Sequence, residues 1–222
     1  MCISIFRKLK YFLIFIRYRK FTIIPMCEFM ENLALIEDAF SKSNLTGGCI
    51  IECGTWRGGM AAALVHLLGP KRKFHFFDSF QGLPPATEED GPDALRWQQN
   101  RSGPRYFSNC KTSRREFDST MRLVPHHNCS VNVYEGWFED TFLTAQTGPI
   151  SVLRLDADWY NSTMLCLETF WPRLLRGAIV IIDDYYCWEG CRKAVHQFLA
   201  REKAVEAIRQ SAFGGVAYIL KQ

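Results

Sequence analysis

The sequence predicts an α/β fold, in which a mostly parallel, doubly wound sheet is covered by helices on both faces. Short apolar segments alternate along the chain with longer segments whose apolar residues recur at helical spacing. Repeated strand and helix units of this kind give parallel strands joined by helical crossovers. A chain of 222 residues with 48% hydrophobic residues is also long enough to bury one sizeable core.

Each element from residue 26 onward has its own local signal. Apolar residues at helical spacing predict the helices, and short apolar runs closed by glycine or acid predict the strands. In chain order these are a helix at 28–40, strand at 47–54, helix at 60–68, strand at 73–78, helix at 113–123, strands at 130–136 and 150–156, helix at 162–175, strand at 177–183 and helix at 191–202. Residues 204–222 predict two strands joined through Phe213, Gly214 and Gly215, which is a hairpin signal.

Residues 84–111 form the one long stretch without periodicity, and it is rich in Pro, Gly, Asn and Asp. Long irregular loops inside a compact domain are usually functional. We therefore predict a lid insertion at about 84–111 within a domain that spans 26–222, with the helix near 29–40 as a second lid candidate.

Residues 1–25 form a basic and aromatic N-terminal extension. Their apolar run at 11–16 is too short to span a bilayer, and basic residues follow it where a signal peptide needs small ones. Ile5, Leu9, Phe12 and Ile16 fall on one helical face with Lys and Arg around it. Such a helix either lies on an anionic membrane surface, covers a partner, or packs on its own domain.

Composition excludes other classes of protein. The net charge of +4 is mild and the basic residues beyond the N-terminus are scattered, so no nucleic-acid partner is indicated. Most of the nine cysteines stand singly in apolar stretches, which suits reduced thiols in a cytoplasmic protein with at most peripheral membrane contact. Cys187 and Cys191 lack a second pair or a His at ligand spacing, so a zinc site is disfavoured.

Polar residues end all the predicted parallel strands. In an open α/β sheet, ligands bind beyond the carboxyl ends of the strands. The residues at these ends are Glu52 and Gly54, Asp78, Glu135 and Gly136, Asp156 and Asp158, and Asp183 and Asp184. Their shared position predicts a single binding site along that edge.

The first strand end has the features of a nucleotide-binding turn. Gly54 allows a tight turn where the chain leaves the sheet, because glycine has no side chain to restrict the backbone. Gly58 and Gly59 allow a ligand to approach the start of the next helix. Asp78 ends the following strand, close to the spacing of roughly twenty residues expected for a carboxylate that binds a ribose. The structural alternatives are a glycine-rich tight turn and a helix-capping aspartate.

The last two strand ends predict a metal site. Asp156 and the pair Asp183 and Asp184 are separated by one strand–helix–strand crossover, which places them at neighbouring positions. Converging carboxylates repel unless a cation neutralises them, and an all-oxygen set favours Mg²⁺. Asp158 either joins this set or acts as a base; the alternative is a group of helix caps and solvent-facing charges.

Five blocks in order carry a family resemblance: IIECGTWRGGMAA, FDSFQGLP, YEGWFEDTF, LRLDADWYNSTM and AIVIIDDYYCWEGCRKAV. They resemble the macrocin/novobiocin-type sugar O-methyltransferases, the TylF family, over about residues 28–222. The resemblance implies a seven-stranded class I methyltransferase fold with an antiparallel C-terminal hairpin. It also implies S-adenosylmethionine as methyl donor, Mg²⁺ as metal, and a sugar hydroxyl on a small-molecule or saccharide acceptor.

Residue by residue, the resemblance implies a cofactor set and a catalytic set. The cofactor set is Glu52, Gly54, Thr55, Trp56, Arg57, Gly58 and Gly59 at the methionine part, Asp78 and Ser79 at the ribose, and Gly136 and Trp137 at the adenine. The metal set is Asp156, Asp183 and Asp184, and the base is Asp156 or Asp158. The N-terminal extension and residues 97–115 depart from the family pattern, so the resemblance leaves the acceptor undefined.

Two other function classes fit parts of the sequence. Asp156-Ala157-Asp158 also matches the D-x-D motif of metal-dependent glycosyltransferases, although the Gly54 turn and Asp78 favour a cofactor site on the first two strands. A non-catalytic, membrane-associated member of the family would explain the N-terminus but not the intact acidic residues. Nothing in the sequence opposes a homo-oligomer.

Overall fold

Seven strands form one sheet in this computed structural model, which describes residues 4–42, 45, 47–103, 106–126 and 128–222. The strands are β1 (Cys49–Cys53), β2 (Lys73–Asp78), β3 (Ser130–Glu135), β4 (Ile150–Leu155), β5 (Leu174–Ile182), β6 (Arg209–Gln210) and β7 (Ala217–Leu220). Their order across the sheet is β3-β2-β1-β4-β5-β7-β6. The pairings from β3 to β5 are parallel, and β7 is antiparallel to both β5 and β6. The predicted doubly wound sheet and its C-terminal hairpin are therefore confirmed.

Helices cover both faces of this sheet. They are α1 (Ile5–Tyr18), α2 (Met26–Lys42), α3 (Gly59–Leu68), α4 (Gly91–Gln99), α5 (Arg114–Met121), α6 (Phe138–Thr144), α7 (Tyr160–Phe170) and α8 (Glu189–Arg201). Successive strand residues point to opposite faces. Ile50 accordingly belongs to the core cluster with α1, α2, α3 and α5, and Ile51 belongs to the cluster with α6, α7 and α8.

The prediction of an irregular stretch at 84–111 is wrong. It contains α4, a 3-10 turn at Glu88–Asp90, and a turn at Phe107–Cys110 whose residues all have positive φ. Pro92 and Asp93 in the first turn of α4 are helix-start signals that its polar composition obscured. The ring centroid of Trp97 on α4 lies 6.1 Å from that of Trp159 and 5.8 Å from that of Trp188, which are distances typical of packed aromatic rings. These contacts hold the insertion against the carboxyl ends of β4 and β5.

Helix α1 packs on its own domain, but through a different face from the one that the apolar spacing selects. Tyr11, Ile14 and Tyr18 are buried in the core cluster that includes α2 and α3. Arg7 Nε and Lys10 Nζ each lie 2.7 Å from the Glu37 carboxylate on α2. The face of Ile5, Leu9, Phe12 and Ile16 is left exposed. Within the described chain, every helix is too short or too polar to cross a membrane.

Candidate active site

A single pocket extends across the carboxyl ends of the five parallel strands, because parallel strands present those ends at one edge of the sheet. Its described lining includes many carboxylates and no Lys, Arg or His. The acidic residues are Glu28, Glu52, Asp78, Glu139, Asp156, Asp158, Asp183 and Asp184. The pocket therefore favours cationic ligands.

The turn after β1 depends on a glycine at its first position. Gly54 has a φ of 83°, and a Cβ there would lie 1.8 Å from the carbonyl oxygen of Asp156. A side chain would therefore separate β1 from the end of β4, and glycine also tolerates the left-handed backbone. The predicted functional turn thus also has a structural requirement.

Asp78 fixes the same turn from the end of β2. Its Oδ2 accepts hydrogen bonds from the backbone N–H groups of Thr55, at 2.8 Å, and Trp56, at 2.7 Å, and its Oδ1 accepts one from Phe80 at 2.6 Å. Burial raises the pKa of Asp78 above its ordinary value, and these hydrogen bonds oppose that shift. Asp78 lines the pocket, so its predicted contact with a ribose stays a prediction, to which the geometry adds a role in shaping the turn.

Most of the predicted cofactor set lies on the pocket wall. The members that line it are Glu52, Gly54, Thr55, Trp56, Gly59, Asp78, Ser79, Gly136 and Trp137. Arg57 and Gly58 are not among the lining residues. The Nε of Arg57 lies 3.3 Å from Glu116, and a Cβ on Gly58 would lie 2.8 Å from the buried ring of Phe117.

Arg154, which the sequence analysis missed, lies beneath the acidic edge of the pocket. Its side chain is fully buried, and its Nη1 lies 2.8 Å from Glu52 and 2.9 Å from Asp156. Its Nη2 lies 2.6 Å from Asp183, and its Nε donates to Asn32 Oδ1 on α2 at 3.2 Å. A basic residue inside an apolar strand was the available signal, because a buried charge requires partners. Part of the negative charge at this edge is therefore balanced by the protein.

Three carboxylates converge beside Arg154. One oxygen from each of Asp156, Asp158 and Asp184 can be chosen so that all lie within 4.8 Å of one another. The backbone N–H of Asp158 donates to Asp184 at 3.0 Å, and Trp188 Nε1 donates to Asp158 Oδ1 at 3.0 Å. Asp158 also has a φ of 55°, a left-handed conformation that costs energy and often occurs at functional sites. Asp183, from the predicted metal set, pairs with Arg154 through Oδ1 and is not part of this group.

The charges of these carboxylates perturb one another. Burial, followed by the negative charge of Asp156, raises the pKa of Asp158 to about 8. Burial and the charge of Asp158 likewise raise the pKa of Asp184. Arg154 is ion-paired to Asp156 and Asp183 but not to Asp158 or Asp184. A cluster that holds excess negative charge and offers only oxygen ligands fits a hard divalent cation such as Mg²⁺.

The cofactor end of the pocket has unsatisfied polar atoms. Glu52 Oε2 and Trp56 Nε1 are buried, and neither has a hydrogen-bond partner in the described part of the protein. Buried polar groups normally have partners, so a ligand with both donors and acceptors would complete this wall. S-adenosylmethionine carries a sulfonium, an ammonium and a carboxylate, and it therefore fits the residues that are present.

Further parts of the wall lacked a recognised sequence signal. Residues 21–25, between α1 and α2, line the pocket together with Cys110 from the insertion. A Cβ on Gly59 would lie 2.6 Å from the carbonyl oxygen of Phe21, so this connection packs directly on the start of α3. These contacts join segments far apart in sequence, which local periodicity does not reveal.

Comparisons with known proteins show which proteins the chain resembles. The family model described as Macrocin-O-methyltransferase (TylF) matches residues 25–219. Mycinamicin III 3''-O-methyltransferase of Micromonospora griseorubida is 35% identical over 182 residues, which cover 75% of this chain and 67% of that protein. Demethyldecarbamoylnovobiocin O-methyltransferase of Streptomyces niveus is 31% identical over 177 residues, 78% of this chain and 65% of that protein. The chain thus spans about two thirds of the length of these curated relatives.

Solved structures give the same fold. The O-methyltransferase NovP matches with a TM-score of 0.73 and 26% identity, over 87% of this chain and 80% of that one. The calicheamicin methyltransferase CalS11 matches with a TM-score of 0.60 and 22% identity, over 99% of this chain and 94% of that one. The sheet order and these matches are consistent with one fold.

Proposed function

The chain belongs to the macrocin O-methyltransferase (TylF) family, and from this membership we propose that it methylates a hydroxyl of a sugar or glycosylated metabolite, using S-adenosylmethionine and Mg²⁺. The curated relatives are named as O-methyltransferases of mycinamicin III, of demethyldecarbamoylnovobiocin and of a rhamnosyl-tetracenomycin, and the last name supports a saccharide-bearing acceptor.

The observation that carries this proposal is the continuity of one pocket. The glycine turn after β1 and the carboxylates that follow β4 and β5 line the same cavity. The methyl donor and the acceptor hydroxyl have to lie close together for transfer, and one continuous pocket allows this.

Within this pocket, the residues around β1 and β2 would hold the cofactor. Glu52 Oε2 offers an unpaired acceptor for an ammonium group, and Trp56 Nε1 offers an unpaired donor. Asp78 holds the turn through Thr55 and Trp56 and keeps its side chain at the pocket wall. Gly136 and Trp137 line the pocket beyond β3, where the adenine is expected.

The acidic end of the pocket would perform the proton chemistry. When bound, the cofactor supplies the methyl group and the metal lowers the pKa of the acceptor hydroxyl. Asp158 is the better candidate for the base, because Asp156 is ion-paired to Arg154 and Asp158 is not, while burial raises the pKa of both carboxyl groups. Asp156 and Asp184 belong both to the predicted metal set and to the converging group, so we propose them as ligands. Asp183 pairs with Arg154 and lies outside the converging group, so its role as a metal ligand stays a prediction.

Titration calorimetry tests this proposal against the alternatives. Heat on adding S-adenosylmethionine, and none with a panel of sugar nucleotides, is expected of a methyltransferase; the reverse result would indicate a glycosyltransferase.

Asp158→Asn should bind the cofactor normally and lose methyl transfer to saccharide acceptors by about 10² to 10⁴-fold, the usual contribution of a general base. Asp140→Asn, an exposed change on α6, should leave transfer unchanged. A wild-type protein that binds the cofactor but methylates no saccharide would point to a non-catalytic family member or another acceptor class.

A further inference from the structure

Helix α1 has an apolar outer face in addition to its buried inner face. The inner residues Tyr11, Ile14 and Tyr18 are at most 3% exposed. The outer face consists of Ile5, Phe6, Leu9, Phe12, Leu13 and Ile16, whose exposed fractions range from 39% to 82%. A contiguous exposed apolar surface on a folded domain usually marks an interaction site.

The two faces are separated by basic residues. With about 100° between successive residues, Lys8 and Arg19 project to one side of the outer face, and Lys10 and Arg17 project to the other. No acidic residue occurs in α1 or in the turn Arg19–Phe21. Lys8, Arg19 and Lys20 are exposed and make no ion pair with any residue that the structure describes.

The inner contacts fix the orientation of α1, so the outer face cannot be buried by rotation of the helix. Arg7 pairs with Glu37 and Asp38 on α2, and Arg17 donates to the carbonyl oxygen of Leu123 at the far end of α1. The outer face is therefore held toward solvent, with basic residues along both of its edges.

We propose that this outer face binds an anionic membrane surface, with its apolar residues in the headgroup region and Lys8, Arg19 and Lys20 against lipid phosphates. An apolar face between rows of Lys and Arg is the arrangement that interfacial helices use. A second copy of the chain fits less well, because two such faces would bring like charges together and neither offers a carboxylate in return.

The test is co-sedimentation of the full-length protein with vesicles. We expect binding to phosphatidylcholine vesicles that contain phosphatidylglycerol, much weaker binding to phosphatidylcholine alone, and a loss of binding as salt screens the charges. Lys8→Glu with Lys20→Glu should weaken binding by tenfold or more, since each basic residue near an anionic leaflet strengthens it roughly fivefold. Leu9→Ser with Leu13→Ser should also weaken binding by tenfold or more, because it removes apolar groups from the bilayer contact.

Matched variants elsewhere on the surface control for general effects. Lys71→Glu with Lys203→Glu changes the net charge equally. Leu143→Ser with Val205→Ser removes two apolar groups that are even more exposed, at 86% and 76% against 55% and 57% for Leu9 and Leu13. Both pairs should bind vesicles as the wild type does. Circular dichroism should show that all variants remain folded. Equal binding to neutral vesicles, no binding, or equal losses in the control pairs would overturn the proposal. So would a wild-type dimer that Leu9→Ser with Leu13→Ser converts to a monomer in light scattering, since the face would then bind a second copy.

Discussion

Arg154 shows how one residue can organise a site that sequence reasoning describes only in part. The carboxylates at the strand ends were identifiable because they follow apolar runs, and their convergence was expected from parallel topology. The sequence predicts that a metal alone neutralises their charge. In the structure, Arg154 also does so, because it contacts Glu52, Asp156 and Asp183 from within the sheet. Single-sequence patterns show that a residue is polar in an apolar strand, but they do not show which partners surround it.

Replacing Arg154 should therefore destabilise the fold strongly. Arg154→Met leaves three carboxylates without their cation, and breaking a buried ion pair in this way costs about 3 to 5 kcal/mol. Denaturant unfolding should show this loss, whereas Arg176→Met, an exposed change on β5, should have a small effect. Adding Glu52→Gln to Arg154→Met should recover part of the stability, because it removes one unpaired charge. Additive losses in the double variant would show that the two residues are not coupled.

Asp78 carries a second prediction at this scale. Asp78→Ala removes the acceptor of three backbone N–H groups, so we expect it to lower stability by roughly 2 to 4 kcal/mol. It should also weaken S-adenosylmethionine binding by about 1.5 to 3 kcal/mol through lost hydrogen bonds to the ribose. Thermal unfolding and calorimetry measure the two effects, with Asp140→Ala as an exposed control. Unchanged affinity would remove Asp78 from the cofactor site.

At the scale of elements, the strength of each local pattern decided what could be predicted. The strands and the helices with clear apolar periodicity lie within a few residues of their predicted positions, and β2 has the predicted bounds. Helix α4 and the short helix α6 were missed because the first is polar and the second has only seven residues. For α1, periodicity identified a genuine apolar face but not which of its two faces is buried, since that choice is made by tertiary contacts.

The attachment of α1 to the domain should depend on pH through His66. Its Nδ1 lies 3.2 Å from the hydroxyl of Tyr18, and burial, with the positive charges of Arg17, His126 and Lys10, lowers the pKa of His66 below its ordinary 6.5. The unfolded chain therefore binds a proton at a higher pH than the folded chain. Stability should fall as the pH drops through about 6.5, and the loss should level off below the folded-state pKa.

Melting temperatures between about pH 8 and pH 5 measure this dependence. His66→Gln removes the titrating group, so its melting temperature should fall less over the same range. His196→Gln, an exposed histidine on α8, should retain the wild-type slope. Identical slopes in the wild type and His66→Gln would show that His66 does not couple protonation to the packing of α1.

At the scale of the whole molecule, the fold could be predicted because the order of strands and helices constrains the topology. Repeated crossovers specify parallel pairing, and parallel pairing places all the strand ends at one edge. Sequence order did not specify which segments close the pocket. Residues 21–25 reach it from the N-terminal side and Cys110 from the insertion, through contacts that bridge large distances along the chain.

The charge balance of the whole pocket predicts its response to metal. Eight carboxylate residues of the described chain line it, and the guanidinium of Arg154 compensates only part of their charge. Removing divalent metal with a chelator should therefore stop methyl transfer, and Mg²⁺ should restore it.

Mg²⁺ at about 100 times its dissociation constant should also stabilise the folded protein by roughly 2.7 kcal/mol through mass action, which raises the melting temperature. Asp184→Asn should reduce that increase, whereas Asp140→Asn should not, because only Asp184 belongs to the converging group. Methyl transfer that survives exhaustive chelation would show that the cluster works without a metal, and the charge of these carboxylates would then have to be balanced by protons, which their raised pKa values permit.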